Sequence, residues 1–475
     1  MKIKNNQKVL MQRGLLFLGA FVIGLNLIVP GFEWTVLLGL LPFLFYIDNL
    51  KSVTNRRAYL DFYISGVIIY GFAYLFLLQA DSANWQFVFS GWFAIFAGVC
   101  AWLFASFASA LSFLLIPLII YKIQRETLRI MVFPLVWVCV EIVSAFAFSV
   151  ISYGPGGSIG VDVNFGSIAT IASSLPIVFT SRIVGFYGLS LVVCYLALAV
   201  YIAARYKQYI RAGAIVVLIL MLILVGHNLN KAKNSARSLK VVAIHMNAFD
   251  TAANIKDLTS IPNDIDILVM PEYSEVQKQD NFKEFLAKLS NTGVLITTVQ
   301  ESESPTATNN LIYLNKNGND ISFQPKHRLI PAGEYMPYSL LATFKAIGKQ
   351  DSVDLFNYSQ KIQPSENSIS AVKYNDVKYG ALPCSGVLST TSYKKLANDG
   401  AEVLINPASL SLLRDDSRYH VLAKRMARFQ AVYNQKPFVQ ASRSGASYVI
   451  SSNGEFKAPS IGSATQIIES TINLR

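Results

Sequence analysis

One cysteine, two glutamates and one lysine in the second half of the chain are of the types that nucleophilic catalysis uses. Cys384 ends the apolar run of Ala381-Leu382-Pro383-Cys384-Ser385-Gly386, where a strand would deliver a side chain to the rim of a sheet. A thiol there is either a nucleophile or a buried packing cysteine. Glu272 ends the run DILVMPE, which places a carboxylate where a buried strand emerges. Such a group can act as a general base, or serve as a helix cap or salt-bridge partner. Lys326 and Glu334 lie in QPKHRLIPAGEYMPY, with Pro331 and Gly333 between them. The segment reads as a shaped loop that fixes a cation against a carboxylate, or as an ordinary surface loop. His245, His327 and His420 stand at no short ligand spacing from another His or Cys and read as structural rather than zinc-binding. No phosphate loop, dinucleotide fingerprint or G-x-S-x-G elbow is present.

The elements that must hold these residues are short β-rich runs at 239–247, 264–272, 293–299, 310–315, 377–384 and 402–409, with helical periodicity at 282–289 and 419–435. Strands alternating with helices predict an α/β layer domain with covered sheets over residues 230–475, and the polar stretch 301–310 reads as a loop.

The first half, residues 1–229, is of another kind. The 475 residues are 53% hydrophobic and only 15% charged, which excludes a soluble globular protein. Apolar stretches close to the roughly twenty residues needed to cross a bilayer occur at 14–30, 34–47, 60–79, 91–121, 130–149, 183–204 and 212–228. They predict a multi-pass bundle of about seven helices, the second short and the fourth long enough to be tilted or broken. Lys2, Lys4, Lys8, Arg13, Lys51, Arg56, Arg57, Lys122, Arg125, Arg129, Arg205, Lys207 and Arg211 fall at the N-terminus and in alternate connections, and the intervening loops hold only Arg182. This asymmetry assigns the N-terminus to the cytoplasm and, with an odd number of spans, the second half to the outside. The formal charge of +12 is therefore largely a loop property and no nucleic-acid footprint. Residues 1–30 have a basic start and an apolar core, as a signal peptide has, but no small-x-small cleavage site precedes Trp34. Cys100, Cys139 and Cys194 fall in the apolar runs, which leaves Cys384 without a disulfide partner outside them. Glu141, inside the fifth run, is expected to bond a neighbouring helix and is not assigned to the site.

The ordered Glu, Lys, Cys combination on strand ends, behind a membrane bundle, resembles the nitrilase (carbon-nitrogen hydrolase) superfamily and, within it, the apolipoprotein N-acyltransferase family. The resemblance is carried by Pro271-Glu272, by the lysine block Lys326 to Pro337 and by Cys384. Ala441 to Ser447 followed by Asn453-Gly454-Glu455, and Gly185 to Ser190, agree as well. The chain departs from the family where Ser385-Gly386 replace Tyr-Glu, where Asn406-Pro407-Ala408-Ser409-Leu410 replace Asn-Asp-x-Trp-Phe, where no tryptophan follows His245-Met246-Asn247, and in lacking a final transmembrane helix.

The resemblance implies an α-β-β-α sandwich on the extracytoplasmic side of a bacterial inner membrane. It implies that Glu272 takes the proton of Cys384, that the thiolate accepts an acyl chain from a phospholipid, and that Lys326 stabilises the oxyanion. Glu334 would orient Lys326 or help with proton traffic. The α-amine of a diacylglyceryl-cysteine lipoprotein then takes the acyl group, and no cofactor or metal is called for. The alternatives are a membrane-tethered amidase or other acyltransferase with the same triad, or an inactive lipoprotein-binding scaffold. With seven spans, a reporter active only in the cytoplasm and fused after Arg475 should be silent; activity there would mean that a span was miscounted.

Overall fold

The computed structural model describes residues 2–474 apart from 51–52, 80–91, 230–236, 248–249, 251, 253–254, 256–257, 302–306, 360, 364–368, 412, 414–416 and 460–464. Lys51 and residues 302–306 of the expected 301–310 loop lie outside the described residues. The chain forms two compact units. One comprises Met1–Leu78, Phe96–Val150 and Val163–Leu229; the other comprises Asn230–Arg475 with Ile151–Asp162 and the described part of Gln79–Ile95.

The first unit is helical. Among the described residues, six segments are long and apolar enough to cross a membrane: Gln7–Ile28, Asn55–Gln79, Ile95–Ile120, Glu126–Ile151, Pro176–Tyr206 and Tyr209–Asn228. The second of the seven expected spans is Thr35–Asp48, only 14 residues long. At ~1.5 Å per residue it reaches about 21 Å, short of the ~30 Å hydrocarbon core. In the fourth run, read as tilted or broken, Trp92–Ala110 continues through the 3-10 turn Leu111–Leu114 into Leu115–Ile120.

Two polar clusters tie these helices together. Arg13 Nε lies 2.9 Å from Asp61 Oδ1, and the Tyr46 hydroxyl donates to Asp61 Oδ2 at 2.6 Å. Two residues beyond Tyr46, Asp48 accepts from Tyr201 and Tyr206 and pairs with Arg205. Arg13 with Asp61, and Asp48 with Arg205, are thus two separate ion pairs among residues that the charge asymmetry places on one face. Deeper in the unit, Glu141 accepts from Trp137 Nε1 (3.0 Å), Ser167 Oγ (2.8 Å), Ile168 N (2.8 Å) and Ser190 Oγ (2.6 Å). The expected bond to a neighbouring helix is made through Ser190, and the same carboxylate caps the short helix Ile168–Ala172.

Among its described residues the second unit carries twelve strands: β1 Arg237–His245, β2 Ile265–Val269, β3 Leu289–Glu301, β4 Thr308–Asn315, β5 Asp320–Pro325, β6 Val372–Tyr374, β7 Val377–Ala381, β8 Val403–Ser409, β9 Phe438–Arg443, β10 Tyr448–Ile450, β11 Phe456–Pro459 and β12 Gln466–Leu474. They form two six-stranded sheets, ordered β12-β1-β2-β3-β4-β5 and β11-β10-β9-β8-β7-β6. In each sheet three central strands run parallel and the outer strands pair antiparallel. The expected loop at 301–310 is shorter than read, because β3 extends to Glu301 and β4 begins at Thr308.

Side chains alternate faces along a strand. Val241, Ala243, Ile267, Val269, Val294 and Ile296 of the first sheet pack on Tyr379, Ala381, Val403, Ile405, Val439 and Ala441 of the second, making the inner core. The opposite face of the first sheet, with Val242, Ile244, Leu268, Met270 and Leu295, is covered by Val276, Phe285 and Leu286. Outside the second sheet, Tyr393 of the helix Ser392–Asn398 donates to Ile405 O at 2.8 Å and packs edge-on against Phe438. The layers are α-β-β-α. Near the carboxyl ends of the central strands, Met246 bridges to Arg443 and links the two sheets.

Replacing Glu141 with Leu removes the shared acceptor of four buried donors. It should lower stability in detergent by on the order of 3 kcal/mol, with Glu141→Gln costing less because its amide oxygen still accepts. Equal melting temperatures for both variants and the wild type would refute this role of the carboxylate.

Candidate active site

The carboxyl ends of parallel strands converge on one region, and each expected site residue follows such an end or an adjacent edge. Glu272 stands three residues beyond β2, Cys384 three beyond β7, and Lys326 directly after β5. All are buried: Glu272 and Lys326 are 1% exposed, Cys384 3% and Glu334 5%.

Lys326 Nζ donates to Glu272 Oε1 at 2.8 Å and to Glu334 Oε1 at 2.7 Å. Cys384 joins this trio through the backbone of Ser409, at the end of β8. The thiol donates to Ser409 O at 3.4 Å, and Ser409 N donates to Glu272 Oε2 at 3.2 Å. The structure thus brings together all four residues singled out in the sequence.

The lysine block is a formed loop. Ile330 N donates to Glu334 Oε2 at 2.8 Å, and both Gly333 N and Glu334 N donate to Ile330 O. Its left-handed residue is Ala332, at φ +60, rather than the glycine beside it. Three further non-glycine residues here have positive φ: Tyr273 (+59), Cys384 (+47) and Ser444 (+59). Each such conformation costs about 1–3 kcal/mol and persists only where the surroundings over-determine it.

Four contributors went unread in the sequence. Asn309 donates to Glu272 Oε1 at 2.6 Å and to the Tyr273 hydroxyl at 3.1 Å, and Tyr273 donates to Glu334 Oε1 at 3.2 Å. Glu272, Lys326, Glu334, Tyr273 and Asn309 therefore close a ring of hydrogen bonds. Asn406 donates to Leu382 O and to Cys384 O, pinning the turn that carries the thiol, and Ser409 meets the thiol through its carbonyl and Glu272 through its N–H. The stretch Asn406 to Leu410, noted above only as a departure, supplies two of these anchors. The available signal was a polar residue closing an apolar run, Asn406 after Val403-Leu404-Ile405 and Tyr273 next to Glu272.

The histidines take no part in the ring. His245 Nδ1 meets Ser447 Oγ at 3.2 Å, and His420 packs where a side chain on Gly445 would fall. Gly386 is closed in as well, since a Cβ there would come within 2.6 Å of Leu382 Cβ.

Burial pushes the Glu272 carboxyl above its usual range and nearby Glu334 adds to this, while Lys326 and the bond from Asn309 pull it down. Burial works against the Lys326 ammonium, but Glu272 and Glu334 outweigh it and hold the lysine charged. The Cys384 thiol is raised by burial and by Glu272, with Lys326 opposing. At rest the site holds one cation, at least one carboxylate and a protonated thiol.

Residues 258–475 match the family model described as carbon-nitrogen hydrolase. In this region the chain is similar to the carbon-nitrogen hydrolase superfamily. Beyond the family model, the chain is 22% identical over 329 residues to an apolipoprotein N-acyltransferase from Shewanella oneidensis, an alignment covering 63% of this chain. It spans 61% of the length of that curated relative. Solved structures with a similar fold include a carbon-nitrogen hydrolase from Helicobacter pylori G27 (16% identity, 50% of this chain and 90% of that one, TM-score 0.36). An amidase from Nesterenkonia sp. is similar to a comparable extent (14% identity, 50% and 90%, TM-score 0.34).

A carboxylate with a raised pKa stays protonated to higher pH, so a reaction that needs it ionised slows as pH falls through that value. Alkylation of Cys384 by iodoacetamide should therefore show an acid limb above the ordinary glutamate value of about 4.3. Asn309→Ala removes a bond that lowers the Glu272 value and should move the limb to higher pH. A limb that stays in place would separate Glu272 from thiol activation.

Proposed function

We propose that this chain is a membrane-tethered acyl-transfer enzyme that carries the acyl group on Cys384 as a thioester, with Glu272 as base, Lys326 as oxyanion partner and Glu334 as the residue that orients Lys326. The observation that carries this reading is Lys326 held between Glu272 and Glu334, with Cys384 reaching the carbonyl of Ser409, the residue whose N–H binds Glu272.

Each step has a group to perform it. Glu272 takes the thiol proton as the Cys384 sulfur bonds to the acyl carbonyl carbon. This transfer leaves the net charge of the site unchanged, which matters where solvent cannot screen an extra anion. An ammonium has three N–H donors. Two serve Glu272 and Glu334, and the third serves the developing oxyanion, a contribution of about 3–4 kcal/mol. The carbonyl–heteroatom bond of the donor then breaks, and its leaving group departs with the proton from Glu272. An amine or water attacks the thioester and gives up a proton to Glu272, the C–S bond breaks, and Glu272 passes that proton to the departing sulfur, which restores the Cys384 thiol and the carboxylate.

The nature of donor and acceptor divides two readings. The Shewanella oneidensis relative favours an acyl chain passing from a phospholipid to the α-amine of a diacylglyceryl lipoprotein. The apolar helices suit substrates that carry acyl chains, because extracting such chains from a bilayer costs roughly 0.8 kcal/mol per CH₂. Gly386, packed against Leu382 where the family carries a glutamate, favours the broader reading, a tethered amidase or another acyltransferase with the same residues. In both, the charge asymmetry of the connections supports an extracytoplasmic site.

Incubation of the purified chain with phospholipid should add one acyl mass to the protein, and Cys384→Ser should abolish the adduct. Restored triacylation of lipoproteins in a strain depleted of its own N-acyltransferase selects the first reading. Hydrolysis of a small amide without triacylation selects the second. A wild-type protein that forms no adduct with either donor class would leave an inactive, lipoprotein-binding scaffold.

A further inference from the structure

The segment Ile151–Asp162 (ISYGPGGSIGVD) connects two apolar helices in the chain, yet it packs as part of the second unit. Its first half lies along the loop that carries Glu334. Ile151 O accepts from Ser339 Oγ at 2.7 Å, Ser152 O from the Tyr335 hydroxyl at 2.6 Å, and Tyr153 O from Tyr338 N at 2.8 Å. The approach is too close for side chains. A Cβ on Gly154 would lie 2.9 Å from Met336 O, one on Gly156 2.7 Å from Leu329 Cδ1, and one on Gly157 2.6 Å from the Tyr335 hydroxyl.

The other end is fixed by Asp162, which bonds to both halves of the site. Oδ2 pairs with Arg328 at 3.2 Å, two residues after Lys326. Oδ1 accepts from Thr391 Oγ1 at 2.8 Å, and the Asp162 carbonyl accepts from Thr390 N at 3.0 Å, shortly after the turn that carries Cys384. Lys326 and Cys384 arise from different sheets, with no direct hydrogen bond between the two described side chains. Asp162 spans the segments that bear them.

We propose that Asp162 is a positioning residue which, by holding Arg328 and Thr390–Thr391 together, sets the separation of Lys326 from Cys384. This inference rests on the reading of Cys384 as nucleophile. A cation near a thiol favours its thiolate, so a loosened strap lets Lys326 drift from Cys384 and slows the thiol. Displacements of about 1 Å in such assemblies cost up to about a hundredfold in rate.

The test is alkylation of the purified full chain by iodoacetamide, with the rate at Cys384 read by peptide mass mapping and the melting temperature read beside it. Asp162→Ala should slow Cys384 by about ten- to a hundredfold with the melting temperature near that of the wild type. Asp162→Asn, which keeps an acceptor for Thr391, should recover part of the rate. An Asp162→Ala protein that labels at the wild-type rate, or an asparagine variant as slow as the alanine one, overturns the inference. Should Asp162→Ala fail to fold, Thr391→Val removes one hydroxyl only, and in a folded protein a several-fold slowing supports the strap while an unchanged rate overturns it. Absence of labelling at wild-type Cys384 removes the nucleophile and this inference with it, an outcome distinct from a variant effect that fails to appear.

Discussion

A lysine withdrawn from water and held between two glutamates is the constraint on which the second unit depends. Lys326, Glu272 and Glu334 are all at least nine-tenths buried, and a buried ion keeps its charge only when partners replace the lost hydration. One ammonium serves two carboxylates, so further donors are needed: Asn309 and Ser409 N for Glu272, Tyr273 and Ile330 N for Glu334. They come from strand ends and loops far apart in the chain. A sandwich of two parallel-centred sheets meets this demand because its strand ends are fixed by an apolar core on both sides. Such a group is seldom a net gain in stability over an apolar cluster; its persistence at a strand-end rim points to chemistry.

The positive-φ residues make the same point in backbone terms. Tyr273 directly follows Glu272, Ala332 lies two residues before Glu334, and Cys384 is itself left-handed. A side chain on an ordinary extended strand end would continue along the sheet. The left-handed step turns the chain, and the cost is offset by contacts such as Asn406 clamping the carbonyls of Leu382 and Cys384.

How far these features are legible from sequence follows from burial. Strands β1, β2, β3, β7 and β8 are covered on both faces and read as continuous apolar runs. β5 (DISFQP) and β12 (QIIESTINL) are sheet-edge strands whose mixed polarity hides them, though β12 pairs with β1 along all nine residues. In the site, Glu272, Lys326, Glu334 and Cys384 stand out because ionisable or thiol groups at the ends of apolar runs are conspicuous. Asn309 and Tyr273 do not, since an amide or phenol in a strand or turn has many uses. The inclusion of Ile151–Asp162 in the second unit was not legible either: its anchoring contacts join residues 166 to 229 positions apart, a separation to which local periodicity is blind.

The charge of the site also limits how the thiol can be activated. Gly386 presses on Leu382, whose carbonyl is bonded by Asn406 and by the Tyr393 hydroxyl. A glutamate at 386 would have to displace a residue held from two sides, so the turn admits no extra carboxylate without rebuilding. With both glutamates ionised the site carries a net charge of minus one, and a thiolate formed by losing a proton to solvent would make it minus two in a place that water does not screen. Burial and Glu272 already oppose that state, which is why the thiol is held protonated at rest. In the proposed reaction the way around this is to move the proton within the site, from Cys384 to Glu272, as the sulfur attacks. The same burial that raises the thiol raises the carboxyl, so acceptor and donor alike hold a proton more tightly than they do in water. At rest two carboxylates hold Lys326 charged, and once Glu272 has taken the proton Glu334 and the charge arising on Cys384 still face it, so the cation is already in place when the negative charge moves from sulfur to the acyl oxygen.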